Sequence, residues 1–207
     1  MSITIRQAKL EDASFLAEMI LQSSRAGKKS GLFDLLFPDA DDIKILDNLA
    51  KLVVAKRETS CSYKNFLIAE IDEKRVGTLC SYEFRKASKE NFIQALNEIG
   101  SIQDFTAILD IFYSCSFEQN KNTLMFDFME EVAGFLDVGV LKALMQKSLL
   151  NARLKGYRVA HTIIEIGSLE TELFYTKLGF KKIAEMRCES YQERFGRAGL
   201  MLLALEF

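Results

Sequence analysis

The feature that most limits what this chain can fold into is the order of its apolar patterns between residues 123 and 191. "TLMFDFMEEV" reads as a strand. The run after it, from Val138 to about Lys155, puts Val138, Leu141, Leu144, Met145, Ser148, Leu149 and Ala152 on one helical face, with Lys142, Lys147, Asn151 and Arg153 off it. "YRVAHTIIEI" is strand again, "SLETELFYTKL" helix, and "GFKKIAEMRCESY" strand. Strands that alternate with helices build a sheet with parallel neighbours and helices against it.

The first third adds antiparallel pieces. "SITIRQAKL" alternates Ile3 and Ile5 against polar neighbours as a strand does. It feeds "EDASFLAEMILQSS", where Phe15, Leu16, Met19 and Ile20 recur at helical spacing. "DADDIKILDNLAKLVVAKRE" predicts a second amphipathic helix whose aspartate-rich start suits the positive end of the helix dipole. "NFLIAEIDEKRVGTLCSYEF" predicts a hairpin about "DEKR". Residues 88–120, broken at Gly100, read as a helical insertion over one side of the sheet. "GLMLLALEF" ends the chain as a last strand, compatible with a place inside the sheet or with the seam of a homodimer. The predicted class is α/β: a mixed β-sheet flanked by helices on both faces, with a helical insertion at about 88–120.

At 207 residues the chain is expected to form one domain, 1–207. Its net charge of -2 is spread among interleaved acids and bases, which argues against nucleic acid as a partner. No apolar run approaches the ~20 residues that span a bilayer, and "MSITIRQAKL" lacks the parts of an export signal, so no membrane partner and a cytoplasmic location are expected. Cys61, Cys80, Cys115 and Cys188 are scattered and His161 is the only histidine. The expectation is four reduced, mostly buried thiols and no metal site. His161, within "VAHTII", reads as a hydrogen-bonded core residue.

Two stretches resemble the GNAT superfamily of acyl-CoA N-acyltransferases. "IGSLETELFYTKLGFKKIAE", residues 166–185, is similar to the family segment in which a short helix ends in Tyr and runs into Leu-Gly-Phe. Tyr175, Leu178, Gly179 and Phe180 fit it, and Ser168 stands at the usual Asn. "LDVGVLKALMQKSLLNARLKGY", residues 136–157, resembles the pyrophosphate loop and the helix that follows. Gly139 matches the central glycine, whereas Leu136 replaces Arg or Gln, Leu141 replaces a small residue, and Ala133 stands at the usual proline. The first strand-helix pair and the hairpin extend the likeness over most of the chain outside 88–120.

The resemblance implies a direct transfer of acetyl from acetyl-CoA to a primary amine, with no metal. It implies a cofactor held by the strand at Met129 and Glu131, by Val138, Gly139, Val140, Leu141 and Lys142 at the loop and first helical turn, and by Ser168 and Tyr175. Backbone N–H groups at a helix N-terminus suit a pyrophosphate; Asp137 reads instead as a helix cap. Tyr175 is implied as the general acid, its alternative being a core tyrosine with a satisfied hydroxyl. Asp127 is the implied water-mediated base, Glu131 the second choice. Strict alternation would set Asp127, Met129 and Glu131 on one face and Glu130 on the other. The acceptor pocket is expected from the 26–40 loop, the insertion and the C-terminal segment, with Asp34, Asp39, Asp41 and Asp42 either drawing a cationic amine or capping and solvated. The alternative to an enzyme is a non-catalytic GNAT-fold module that senses a ligand or binds a protein, suggested by the three departures in the loop.

Overall fold

The computed structural model describes residues 2–100, 105–135 and 139–207. Strand β1 (Ile3–Gln7) leads through a 3-10 turn at Leu10–Asp12 into α1 (Ala13–Arg25), followed by α2 (Leu32–Leu36) and α3 (Asp42–Val53). The hairpin is β2 (Phe66–Ile71) and β3 (Lys74–Glu83), and its two turn residues Asp72 and Glu73 take φ 49 and 64°. Positive φ at both central positions matches the turn to the right-handed twist of the strands. The insertion supplies α4 (Lys89–Glu98) and α5 (Thr106–Ser114). Then come β4 (Leu124–Glu131), α6 (Val140–Leu154), β5 (Val159–Glu165), α7 (Leu169–Lys177), β6 (Lys181–Arg187), α8 (Glu189–Phe195) and β7 (Gly199–Glu206).

The strands form one sheet in the order β1-β2-β3-β4-β5-β7-β6. All neighbours are antiparallel except β4 and β5. The C-terminal strand β7 lies between β5 and β6, so the apolar "GLMLLALEF" is satisfied within its own chain. Among the described residues no helix is long and apolar enough to cross a membrane.

Two apolar cores follow from the alternation of strand side chains. One lies beneath α1 to α5 and α8, with Leu16, Ile20, Phe33, Leu49, Phe66 and Tyr191 buried in it; the other lies beneath α6 and α7, with Phe126, Val140, Leu144, Tyr175 and Phe180. Fully burying one such side chain stabilises the fold by about 1.5–3 kcal/mol. Helix α6 can approach β3 closely because residue 77 is glycine. A Cβ there would lie 2.7 Å from Val140 Cγ1 and 2.9 Å from the Glu130 carbonyl oxygen.

Three expectations need correction. Cys115, just after α5, is disulfide-bonded to Cys188, just after β6, with Cα atoms 6.0 Å apart; Cys61 and Cys80 are the buried free thiols. The partners are 73 residues apart, so no local spacing announces the bond. The strand expected through Tyr191 stops at Arg187, and Glu189–Phe195 coils into α8. Its signal is a single i,i+4 pair, Tyr191 and Phe195, whose rings stack at 4.4 Å. Helix α2 occupies part of the expected 26–40 loop.

Candidate functional site

The site begins with a break in the sheet. Strands β4 and β5 pair only at Leu124↔Ala160 and Met125↔His161, although they run on to Glu131 and Glu165. A bulge accompanies the separation. Opposite β3, Thr78 pairs with Glu130 but Cys80 with Asp127, so β4 carries an extra residue, and Phe128 takes φ 45°. A bulged strand bends and twists locally, which carries β4 away from its neighbour. Left-handed backbone at a bulky residue costs about 1–2 kcal/mol. It is held by the Asp127 carboxylate, which accepts the Phe128 N–H at 2.8 Å, by the Thr78 hydroxyl, which donates to the Phe128 carbonyl at 3.0 Å, and by stacking on Phe66.

The extra residue shifts the phase of the strand. Asp127 and Phe128 both face the core under α1, Met129 the core under α6, and Glu130 comes back to the α1 side, where Gln22 Nε2 donates to it at 2.8 Å. Strict alternation had separated Asp127 from Glu130; the bulge puts them together.

A cavity of about 520 Å³ occupies the gap. Its walls come from both cores, so it runs through the sheet: Tyr82, Phe112 and Tyr191 line the α1 side, Leu141, Phe174 and Tyr175 the α6 side, and Asp127, Met129, Glu130 and Glu131 the β4 edge between. Asp127 is half-buried, with the Tyr82 hydroxyl donating at 3.3 Å. Burial pushes its carboxyl up to about 6, against the pull of the Phe128 N–H and Tyr82. Burial also raises Glu130, opposed by Gln22 and Ser23. Tyr175 is buried in an edge-to-face contact with Phe180 at 5.1 Å. Burial raises its hydroxyl further above the usual range, against a hydrogen bond with Thr162, so it stays protonated.

At the α6 end, Gly139 takes φ 89° at the N-cap, and a Cβ there would meet no atom within 4 Å. The first helical bond runs from Ala143 N to Gly139 O at 3.0 Å. The N–H groups of Val140, Leu141 and Lys142 precede it, as in any helix N-terminus, and no side chain caps the helix among the described residues. Val140 is buried against β3, Leu141 lines the cavity, and Lys142 is exposed. Leu136, Asp137 and Val138 lie outside the described residues, so the cap expected at Asp137 does too; the residue at the N-cap position is Gly139. Ser168 is buried at the start of α7 and lines the cavity without capping the helix.

Some candidates go elsewhere. Asp34 and Asp42 pair with Arg25 at 2.7 and 2.6 Å, and Asp41 caps α3 by accepting from Lys44 N; these three and Asp39 lie outside the cavity lining, which removes them as its acidic wall. His161 sits half-buried with Nδ1 2.6 Å from Gln119 Oε1, also outside the lining. Residues of the three regions expected to build the pocket do line the cavity: Ala26, Leu32 and Phe33, then Phe92, Phe112 and Tyr113, then Tyr191 and Phe195. Tyr82, Gln22 and the bulge were missed. Strand register, which brings Tyr82 to Asp127, has no local sequence sign, and a bulge built on Phe rather than Gly has none either.

The sequence matches no family model and no curated protein. Solved structures do resemble the fold. An N-acetyltransferase from Staphylococcus aureus Mu50 superposes with a TM-score of 0.68 at 16% identity over 98% of this chain and 100% of that one. A ribosomal-protein-alanine N-acetyltransferase from Brucella melitensis gives 0.60 at 15% identity over 99% of each chain. The PaiA N-acetyltransferase from Thermoplasma acidophilum, in complex with coenzyme A, gives 0.55 at 16% identity over the whole of both. With its parted β4 and β5 and the glycine-started helix beside them, this chain has the GNAT N-acetyltransferase fold.

Proposed function

We propose that the chain is an N-acetyltransferase that moves acetyl from acetyl-CoA to a primary amine. The observation that carries this is the cavity through the gap between β4 and β5, with a proton acceptor on one wall and a proton donor on the other. The residues present fit the cofactor. β5 pairs with β4 only at Leu124 and Met125, which leaves the β4 edge at Met129 facing the gap, and the N-terminus of α6 at Gly139 to Lys142 suits phosphates.

Acetyl-CoA supplies an acetyl group activated as a thioester. On the α1 side Asp127, through water, takes a proton from the ammonium and frees its lone pair; near neutral pH a carboxylate of pKa about 6 is both ionised and basic enough. The nitrogen–carbon bond forms, the carbon–sulfur bond breaks, and Tyr175 gives its hydroxyl proton to the departing sulfur, regaining one from solvent. Tyr175→Phe is expected to lower kcat by roughly 100-fold while leaving acetyl-CoA affinity within about 2-fold of the parent. Single-turnover kinetics beside calorimetry measures both.

Calorimetry with acetyl-CoA tests the whole reading. Micromolar affinity, about -8 kcal/mol, lost in Gly139→Glu, is the expected result: at positive φ a side chain is strained, and a carboxylate there repels phosphate. No heat from the parent, with a melting temperature unmoved by acetyl-CoA, would leave a GNAT-shaped binding module instead.

A further inference from the structure

The α1 half of the cavity has a charge and a surface that select the acceptor. Among the described residues no lysine or arginine lines the cavity. Two carboxylates there are held by neutral donors: Asp127 by the Tyr82 hydroxyl and the Phe128 N–H, Glu130 by the Gln22 amide. Glu165, also in the lining, is already neutralised by Lys28 at 2.7 Å, with Arg197 at 3.6 Å. The carboxylates of Asp127 and Glu130 therefore face the cavity with neutral donors as their hydrogen-bond partners.

Aromatic rings make up much of the rest of this half, among serine, cysteine and aliphatic residues. Phe33 packs on Phe92 with centroids 6.3 Å apart, Phe112 on Phe195 at 5.9 Å, and Tyr191 on Phe195 at 4.4 Å. The tyrosine hydroxyls in this wall are already used, Tyr113 donating to the Ala87 carbonyl at 2.9 Å and Tyr191 to Glu165 at 3.1 Å. What these aromatic residues offer a ligand is ring surface.

We propose that the acceptor is a small arylalkylamine: a primary ammonium for the Asp127 and Glu130 pair, an aromatic body for the rings, and no carboxylate of its own. This rests on the acetyltransferase reading. An ammonium leaving water needs such a countercharge, and rings reward an aromatic body by offset or edge contacts. An amino acid would bring its own carboxylate against two others with no cation to receive it. The second ammonium of a polyamine would meet the aromatic wall, where the nearest carboxylate is already paired with Lys28.

The experiment measures CoA release from acetyl-CoA with phenethylamine, phenylalanine, spermidine and an alanine-initiated peptide, beside saturation-transfer NMR of phenethylamine binding with and without CoA. The expected result is a kcat/KM for phenethylamine at least ~100-fold above the other three. Glu130→Gln should raise the phenethylamine KM by about 10-fold with kcat within about 2-fold. A protein that binds acetyl-CoA but prefers spermidine, phenylalanine or the peptide, or that ignores phenethylamine in both assays, overturns the substrate class and leaves the acetyltransferase reading standing. Phenethylamine binding without acetyl-CoA binding supports the pocket chemistry and removes the acetyltransferase reading. Binding of neither overturns both.

Discussion

Asp127→Asn is expected to lower kcat at least ~100-fold near pH 7.5 and yet to melt at a higher temperature than the parent. Both effects come from one desolvated carboxylate. Burial lifts its pKa from 3.8 in the reference state to about 6 in the fold. Because the folded value is the higher, the protonated form favours folding. That contribution is complete below about pH 4 and is lost as pH rises through about 6. A shift of this size corresponds to about 3 kcal/mol at most, and to about 1–2 kcal/mol once the partial exposure of the side chain is allowed for. Asparagine keeps one oxygen for the Phe128 N–H, presents its NH2 to the Tyr82 hydroxyl oxygen, which then accepts, and carries no charge at any pH. The melting temperatures of parent and variant should therefore diverge between about pH 4 and 6 and stay apart above that, while parental kcat/KM climbs through about pH 6. Paired melting and rate profiles measure this. Parental activity in the variant would move the base to Glu130 or Glu131, and an unchanged melting profile would show that the carboxylate is well solvated.

Gly77→Ala should damage stability and cofactor binding together, although residue 77 touches no substrate. The added methyl would sit 2.7 Å from Val140 Cγ1, at the start of α6, and 2.9 Å from the Glu130 carbonyl, on the bulged strand. Overpacking of this kind costs about 1–3 kcal/mol. It would press apart the two elements that the site needs in fixed relation. The expected result is a lower denaturation midpoint and acetyl-CoA affinity reduced by about 10-fold or more. Adding Val140→Ala, which deletes the methyl in contact, should return part of both. Unchanged affinity in a destabilised Gly77→Ala protein would show that the helix start moves without consequence for the cofactor.

How far these residues were visible in sequence depends on the range of the interactions that place them. Periodicity located β4, α6, β5 and α7 within a few residues, because each pattern is local and long enough to read. Tyr175 and Gly139 stood out through their flanking residues. Glu130 did not, since its face depends on one inserted residue at Phe128, and no glycine marks that bulge. The partnership of Tyr82 with Asp127 depends on strand register, and α8 rests on two aromatic residues in seven. The aspartates of "DLLFPDADD" were legible as charges, but the ion pairs that Asp34 and Asp42 form were not, because their partner Arg25 arrives from the end of α1.

The Cys115–Cys188 bond also alters the topology of the chain when no fold is present. The residues between the two cysteines comprise β4, α6, β5, α7 and β6, so Asp127, Gly139 and Tyr175 all belong to a single covalent ring. By the chain-entropy account, closing a ring across a separation of 73 residues removes about 4 kcal/mol of freedom from the unfolded ensemble. Both walls of the cavity's β4/β5 gap are then confined to one loop from the outset, and a backbone nick anywhere within it leaves the two fragments tethered. The remaining strands and helices assemble around a site whose parts cannot diffuse apart.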